Sequence, residues 1–268
     1  MCANYFGMNP VRPLGANGLY STQRVNQNPY MNFGQAELDR DTFQYSSNSV
    51  NRYTNEGYII SAIKSNPKVR EILRKNGMSG EINMENLKNL LGTHAKDTQN
   101  IADGIVENLP VALKYEVNKK SLSDACYLHD IGKALIPNEI LNKPARLTPE
   151  EEKIMHTHSE LSYELLRKSD IDTRTLNLIK YHHQNALGNG YPAVGNDFNA
   201  DINLQVLSMA DKYSALTEKR AYKEAMGNEK ALGIIYQDVK EGKFSPLVFN
   251  ALVTHVKENT PTMQKLSA

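Results

Sequence analysis

From residue 56 onward, apolar side chains recur three and four residues apart and almost nowhere alternate with polar ones. That period belongs to helices, so the spacing predicts an all-α fold, a compact helical bundle. Start signals sit where the stripes begin. Asn66-Pro67 reads as a cap followed by proline at the first helical position, leading into Val69, Ile72 and Leu73. A long helix is expected from near Asn83 to Pro110, with Leu87, Leu90, Leu91, Ile101, Ile105 and Leu109 on its stripe. Ser121 with Asp124 is expected to open the next, and Thr148-Pro149-Glu150-Glu151 is a capping box for another. Further helices are expected at about 172–185, 201–217, 228–240 and 246–258. The connections at 134–148 and 186–200 are long for a bundle, and long ordered loops often carry function.

Residues 1–55 differ from the rest. The first lysine is Lys64, and the early segment is rich in Asn, Gln, Tyr, Gly and Pro without either apolar period. The expected organisation is a disordered tail over 1–55, a short helical lead-in over 56–82, and the main domain over 83–262. The tail's aromatics, among them Tyr5, Phe6, Tyr20 and Phe43, offer a surface for a protein partner. In the 268 residues, Lys+Arg 31 against Asp+Glu 30 leaves a net charge of +1, which implies no DNA or RNA groove. Cys2 and Cys126 share no ligand spacing, so a reducing compartment fits. No apolar run is long enough to span a bilayer, and the N-terminus reads as no signal peptide. The expectation is a cytoplasmic protein away from the membrane.

Helical arithmetic then sorts the seven histidines. His94 lies seven residues after Leu87 and seven before Ile101, so it shares their face. His158 shares a face with Ile154, Leu161 and Leu165, whereas His156 points nearly opposite, toward solvent. His182 and His183 flank the face of Leu178 and Ile179, and Asp211 follows Leu204 and Leu207. His255, among Val248, Ala251 and Leu252, reads as an ordinary core histidine. One inward histidine is usually just hydrogen-bonded. Several of them together with His129-Asp130 and Asp211 need partners, because burying such groups alone costs several kcal/mol. A shared metal centre would satisfy all of them.

The motifs that follow one another in this order resemble a known family, the HD-domain metal-dependent phosphohydrolases, and within it the HD-GYP subgroup. They are His129-Asp130-Ile131-Gly132-Lys133, Ile140-Leu141-Asn142-Lys143-Pro144, Leu147-Thr148-Pro149-Glu150-Glu151, His182-His183, Gly188-Asn189-Gly190-Tyr191-Pro192, and Ala210-Asp211 through Arg220-Ala221-Tyr222. The resemblance covers roughly 87–250. It implies His94, His129, Asp130 and Asp211 around one metal, with Asp130 bridging to a second held by His158, His182 and His183. It also implies hydrolysis of cyclic di-GMP. Departures stand at Gln184 and Leu187-Gly188, where the family has glutamate and Asp-Gly, and at Ser214, where it has aspartate. Leu90 replaces the glutamate that supports a third metal in some members, so two metals are expected.

Imidazole and carboxylate ligands suit Fe, Mn, Ni or Zn, and a bridging carboxylate suits a pair of ions. The expected chemistry is in-line attack on phosphorus by a hydroxide held between two divalent metals. Asp130 and Lys133 are the candidate catalytic residues, Lys133 meeting a phosphate oxygen or the leaving 3′-oxygen. Arg220 is a candidate second phosphate contact, and Gly190, Tyr191 and Pro192 are expected to shape the substrate pocket. Another cyclic dinucleotide or nucleotide as substrate, or a non-catalytic metal- and nucleotide-binding module, stays open as an alternative.

Overall fold

Eight of the twelve α-helices among the described residues from Glu56 onward begin where a short polar side chain takes up an unpaired amide of the first turn. The computed structural model describes residues 51–218 and 225–260. It begins with α1 (Glu56–Ser65) and α2 (Pro67–Lys75), capped by Asn55 and Asn66. Then come α3 (Met84–Gly92), capped by Asn83, and α4 (His94–Asn108), α5 (Val111–Lys114) and α6 (Lys119–Leu128), the last capped by Asn118. A 3₁₀ turn over Ile131–Leu135 leads into α7 (Asn138–Leu141) and α8 (Pro149–Leu166). The last four helices are α9 (Thr173–Tyr181), α10 (Ile202–Thr217), α11 (Asn228–Lys240) and α12 (Pro246–Asn259). The expected capping box on α8 is present in both directions: the Glu151 amide donates to Thr148 Oγ1 at 3.3 Å, and the Thr148 amide to Glu151 Oε2 at 2.7 Å. Among the described residues there is no strand, and no helix is long and apolar enough to cross a membrane.

Helix α4 is the axis of the bundle. Ala95, Ala102, Ile105 and Val106 are buried along it, and α6, α10 and α12 pack around it. Gly104 lets α12 approach, since a Cβ there would lie 1.9 Å from the His255 ring. His255 lies in this contact, away from the other histidines, with its carbonyl and Nδ1 meeting the Asn259 amide. The 3₁₀ turn rests against α8, with Leu128, Ile131, Leu135, Leu161 and Leu165 almost wholly buried between them. Each such side chain contributes roughly 1.5–3 kcal/mol relative to leaving it in water.

Four boundaries differ from the sequence expectation. Asn51–Tyr53 is already helical, so the folded part reaches into the segment expected as tail. Tyr53 is buried and its hydroxyl donates to Asp170, which also pairs with Arg52 at 2.7 Å. The single helix expected over 83–110 is two, interrupted at Thr93, whose φ of −118° and ψ of −79° leave the helical line. Gly92 weakens the rod there, and the Thr93 amide and hydroxyl both donate to the Asn89 carbonyl, at 3.1 and 2.9 Å, so the first helix ends on that residue. Helix α6 starts at Asn118 rather than Ser121, because Asn118 accepts from the Ser121 amide at 2.9 Å and the Ser121 hydroxyl donates instead to Asp172. Helix α9 ends at Tyr181, not 185, so His182 and His183 sit just past its end.

Candidate metal centre

Two histidines that close helices solve the same local problem, and a third makes the same bond from within a helix. The last carbonyls of a helix have no amide partner within it. His129, the residue that closes α6, sets its Nδ1 2.9 Å from the Cys126 carbonyl, and His182, closing α9, sets its Nδ1 2.7 Å from that of Ile179. His158, inside α8, does the same with Met155 at 2.6 Å. In each the Nδ1–H donates to a carbonyl three residues back. Nδ1 is thereby fixed as a donor, and Nε2 points away from the helix, as a bare lone pair in His158 and His182.

Those lone pairs converge. His158 Nε2 lies 3.3 Å from His182 Nε2 and 3.0 Å from His183 Nε2. On the other side, His94 Nε2 lies 2.9 Å and His129 Nε2 3.7 Å from Asp211 Oδ1. Asp130 stands between the groups with one oxygen facing each. Its Oδ1 is 3.3 Å from His158 Nε2 and 3.8 Å from His182 Nε2, while its Oδ2 is 3.4 Å from His129 Nε2 and 3.7 Å from His94 Nε2. Three sets have ligand atoms within 4.8 Å of one another: His158 with His182 and His183, His94 with His129 and Asp211, and His129 with Asp130 and His182. All seven residues expected as ligands fall in these sets, and among the described residues no other residue does.

The arrangement fits divalent cations on its own chemistry. His129 Nε2 and Asp130 Oδ1 are buried without a hydrogen-bond partner, and an unmade bond on a buried polar atom costs about 1–3 kcal/mol. His158 and His182 both spend their one N–H on carbonyls through Nδ1, so their Nε2 atoms, 3.3 Å apart, have no proton between them, and a Lewis acid there makes the geometry favourable.

Charge is finely divided here. Burial alone would raise both carboxyls; Lys133 and His129 outweigh it at Asp130, and the neighbouring imidazoles of His129 and His94 outweigh it at Asp211. Both stay well below the usual carboxylate range. Burial pushes His158 down to about 3 and His182 to about 4, so neither needs to lose a proton at neutral pH. At His129 burial works the same way, but the Asp130 and Asp211 carboxylates win and lift it to about 10. The raised value means that the metal-free chain carries a proton on His129 at pH 7, and a cation must displace it. Loading is therefore expected to release about one proton from this residue, and apparent affinity to rise roughly tenfold per pH unit between about 6.5 and 9. Calorimetry in buffers of different ionisation enthalpy measures that proton; pH-independent affinity would refute it.

The remaining expected site residues are placed unequally. Lys133 Nζ sits 2.6 Å from Asp130 Oδ2, on the wall of a cleft of about 520 Å³ that reaches His158, His183 and Tyr191. Tyr191 stacks on one face of His156, ring centroids 3.7 Å apart at 14°, so the outward-pointing His156 is half-covered by a ring and half open to solvent. Gly190 and Pro192 build the loop instead of lining the cleft. A Cβ on Gly190 would lie 2.1 Å from the His183 carbonyl. Arg220 lies outside the described residues.

Three contributors escaped the sequence reading. Ser214 Oγ lies 3.1 Å from His94 Nδ1, and Glu218 Oε2 3.5 Å, so the position lacking the family's aspartate still orients His94. Both follow Asp211 at helical spacing, three and seven residues on, which is the signal that could have found them. Gln184 is buried; its Oε1 accepts from the Gly190 amide at 2.9 Å and its Nε2 donates to the Pro192 carbonyl at 2.5 Å. One carboxamide thus fastens both ends of the loop under Tyr191, which a carboxylate could not do. Gln184→Ala is expected to cost about 1–3 kcal/mol and to raise KM more than it lowers kcat, as unfolding and steady-state measurements would show.

A probable cyclic di-GMP phosphodiesterase of Vibrio cholerae is 32% identical over 189 residues, covering 66% of this chain and 43% of that protein. A cyclic di-GMP phosphodiesterase of Thermotoga maritima is 33% identical over 155 residues, covering 56% of this chain and 41% of that one. The chain thus spans less than half the length of these curated relatives. The solved structure of a HDG"Y"P protein from Bdellovibrio bacteriovorus shares the fold, with a TM-score of 0.52 at 15% identity over 81% of this chain and 69% of that one. The profile described as HD domain matches residues 82–248, a span that takes in His94, the adjacent His129-Asp130 and every other residue of the centre. The chain belongs to the HD domain family.

Proposed function

We propose that the chain is a metal-dependent phosphodiesterase that hydrolyses a cyclic dinucleotide, cyclic di-GMP first. The observation that carries this reading is Asp130: its two oxygens face two different histidine sets, the arrangement a carboxylate shared by two cations requires. His94, His129 and Asp211 would hold one ion and His158, His182 and His183 the other, with Asp130 between. Such a pair supplies an acidified water and positive charge for the phosphoryl oxygens. The names of the two relatives above support the substrate class.

The chain's own groups supply the rest. His183 and Lys133 present their side chains to the cleft, where a phosphate would arrive. Lys133 balances Asp130 Oδ2 at 2.6 Å in the metal-free chain. Once that oxygen is engaged, the ammonium turns to a phosphate oxygen or gives its proton to the leaving 3′-oxygen. The carbonyl bonds to Nδ1 hold three imidazoles in place, so little reorganisation accompanies the reaction. Fe, Mn, Ni and Zn all suit this ligand set.

The test is turnover of cyclic di-GMP by the chain loaded anaerobically with Fe²⁺ or with Mn²⁺, beside His129→Ala. Linear dinucleotide or GMP is expected from the loaded chain alone. Bound metal without hydrolysis of cyclic di-GMP or any other cyclic dinucleotide would overturn the reading.

A further inference from the structure

Two clefts meet at His183, and they differ in kind. The one of about 530 Å³ is lined by Lys212, Lys243 and Asp238. Its cations are already spent: both lysines pair with Asp238, and Lys243 also with Glu241 at 2.7 Å. The cleft of about 520 Å³ on the Lys133 side changes character along its length. Its charged groups, Lys133 and Glu218, are committed beside Asp130 and His94. Away from them the wall is neutral, made of leucines, Met155 and asparagines.

Helix α3 presents one face to this cleft: Asn86, Asn89, Leu90 and Thr93, spaced as residues i, i+3, i+4 and i+7. Across from it stand Leu141, Asn142 and Leu147, half-buried or exposed rather than sealed in the core. Asn86 and Asn142 are tied together: Asn142 Nδ2 donates to Asn86 Oδ1 at 3.1 Å and to Asn138 Oδ1 at 2.8 Å. Asn138 Oδ1 also accepts from Asn86 Nδ2 at 3.1 Å. That network joins α3 to α7 and fixes the wall. Asn89 is exposed, and its carboxamide makes no hydrogen bond among the described residues.

An apolar wall edged by carboxamides, those of Asn86 and Asn142 tied into a network, and opening onto a charged end has the polarity of a nucleotide: faces apolar, rim polar, tail anionic. We infer that Leu141, Leu147 and Asn89 form a nucleobase subsite for the nucleotide whose phosphate meets the metal centre. This deepens the phosphodiesterase reading and rests on it for the phosphate end. The readers are neutral. A carboxamide offers a donor and an acceptor and can pair with adenine's N6 and N7 or with guanine's amino edge. No arginine fork faces guanine O6 and N7, and no carboxylate at this end faces its N1–H and N2–H, among the described residues. The subsite therefore accepts both purines with little preference.

The experiment is calorimetric binding of GMP, AMP and ribose 5-phosphate to the Mn²⁺-loaded full chain. Both nucleotides are expected to bind about tenfold or more tightly than ribose 5-phosphate, and within about tenfold of one another. Leu147→Ser is expected to lower both nucleotide affinities and leave that of ribose 5-phosphate unchanged. Asn89→Asp, at an exposed position without partners to lose, is expected to shift the GMP-to-AMP ratio about tenfold toward GMP, because a carboxylate accepts from N1–H and N2–H but cannot donate to adenine N7. Any phosphate repulsion it adds falls on both nucleotides and cancels in the ratio. Nucleotides that bind no better than ribose 5-phosphate, or a ratio unmoved by Asn89→Asp, would overturn the subsite whatever the hydrolysis result. Base-dependent binding without hydrolysis of any cyclic dinucleotide would support the subsite and remove the phosphodiesterase reading instead.

Discussion

Asp130→Ala is expected to lose turnover by about 10³-fold or more, and bound metal with it. The two Asp130 oxygens are turned to different histidine sets at short range on both sides, 3.3 Å from His158 Nε2 and 3.4 Å from His129 Nε2, whereas Asp211 reaches the second set only at 3.8 Å, from Oδ2 to His183 Nδ1. Charge stabilisation by a bound ion is worth several kcal/mol in a phosphoryl transition state, and about 4 kcal/mol corresponds to the quoted factor. The substitution also alters the metal-free protein. Lys133 is left at the cleft wall without its partner, and His129 keeps Asp211 as its only near carboxylate. Its imidazole is then expected to fall back from about 10 toward the ordinary range. Asp130→Asn separates shape from charge: it retains the side-chain volume, and comparable loss of metal would assign the effect to the charge. Metal per chain by elemental analysis and kcat on the same preparation are the readouts. A variant that keeps a full metal complement and wild-type turnover would dismiss Asp130 as the shared ligand.

Gly132→Ala is expected to destabilise the protein by about 3 kcal/mol, the upper end for forcing one carbon into a filled core. The backbone of the 3₁₀ turn lies directly against α8. An added Cβ would stand 2.2 Å from the His158 carbonyl, 2.7 Å from the Ser162 amide and 2.9 Å from Leu161 Cβ. Two of these are backbone atoms of a continuous helix, so they cannot rotate away. The Gly132 amide moreover donates to Ser162 Oγ at 2.9 Å, and moving the turn outward breaks that bond. Because Asp130 and His158 lie on the two surfaces being pushed apart, metal affinity is expected to fall about tenfold or more as well, in the range seen when ligand supports are removed. Ser162→Ala, which removes only the hydrogen bond, is expected to cost about 1 kcal/mol. Urea unfolding of the metal-free proteins gives both values, and a Gly132→Ala variant within about 0.5 kcal/mol of wild type would refute the packing argument.

By itself the sequence determined the helices and the inward histidines. Both follow from local periodicity: the caps at Asn66, Thr148, Asp201 and Ser245 stand one residue before a stripe, and His94, His158 and Asp211 keep step with leucines and isoleucines on their own helices. Such signals live within about seven residues, the reach of helical spacing, so one chain suffices to read them. The motif order added the pairing of those residues into one centre. What only the tertiary structure decided were relations between segments far apart in the chain. Gly132 is indispensable because α8 happens to pass against it, and no spacing within 129–133 records that. Tyr191 stacks on His156 because the loop folds back under the hold of Gln184, so a ring that its own helix points outward is partly covered. The break at Thr93 re-aims the helix that carries His94, where the apolar stripe of 83–110 reads as continuous. Periodicity reports which face a residue is on. It carries no term for what another helix brings to that face.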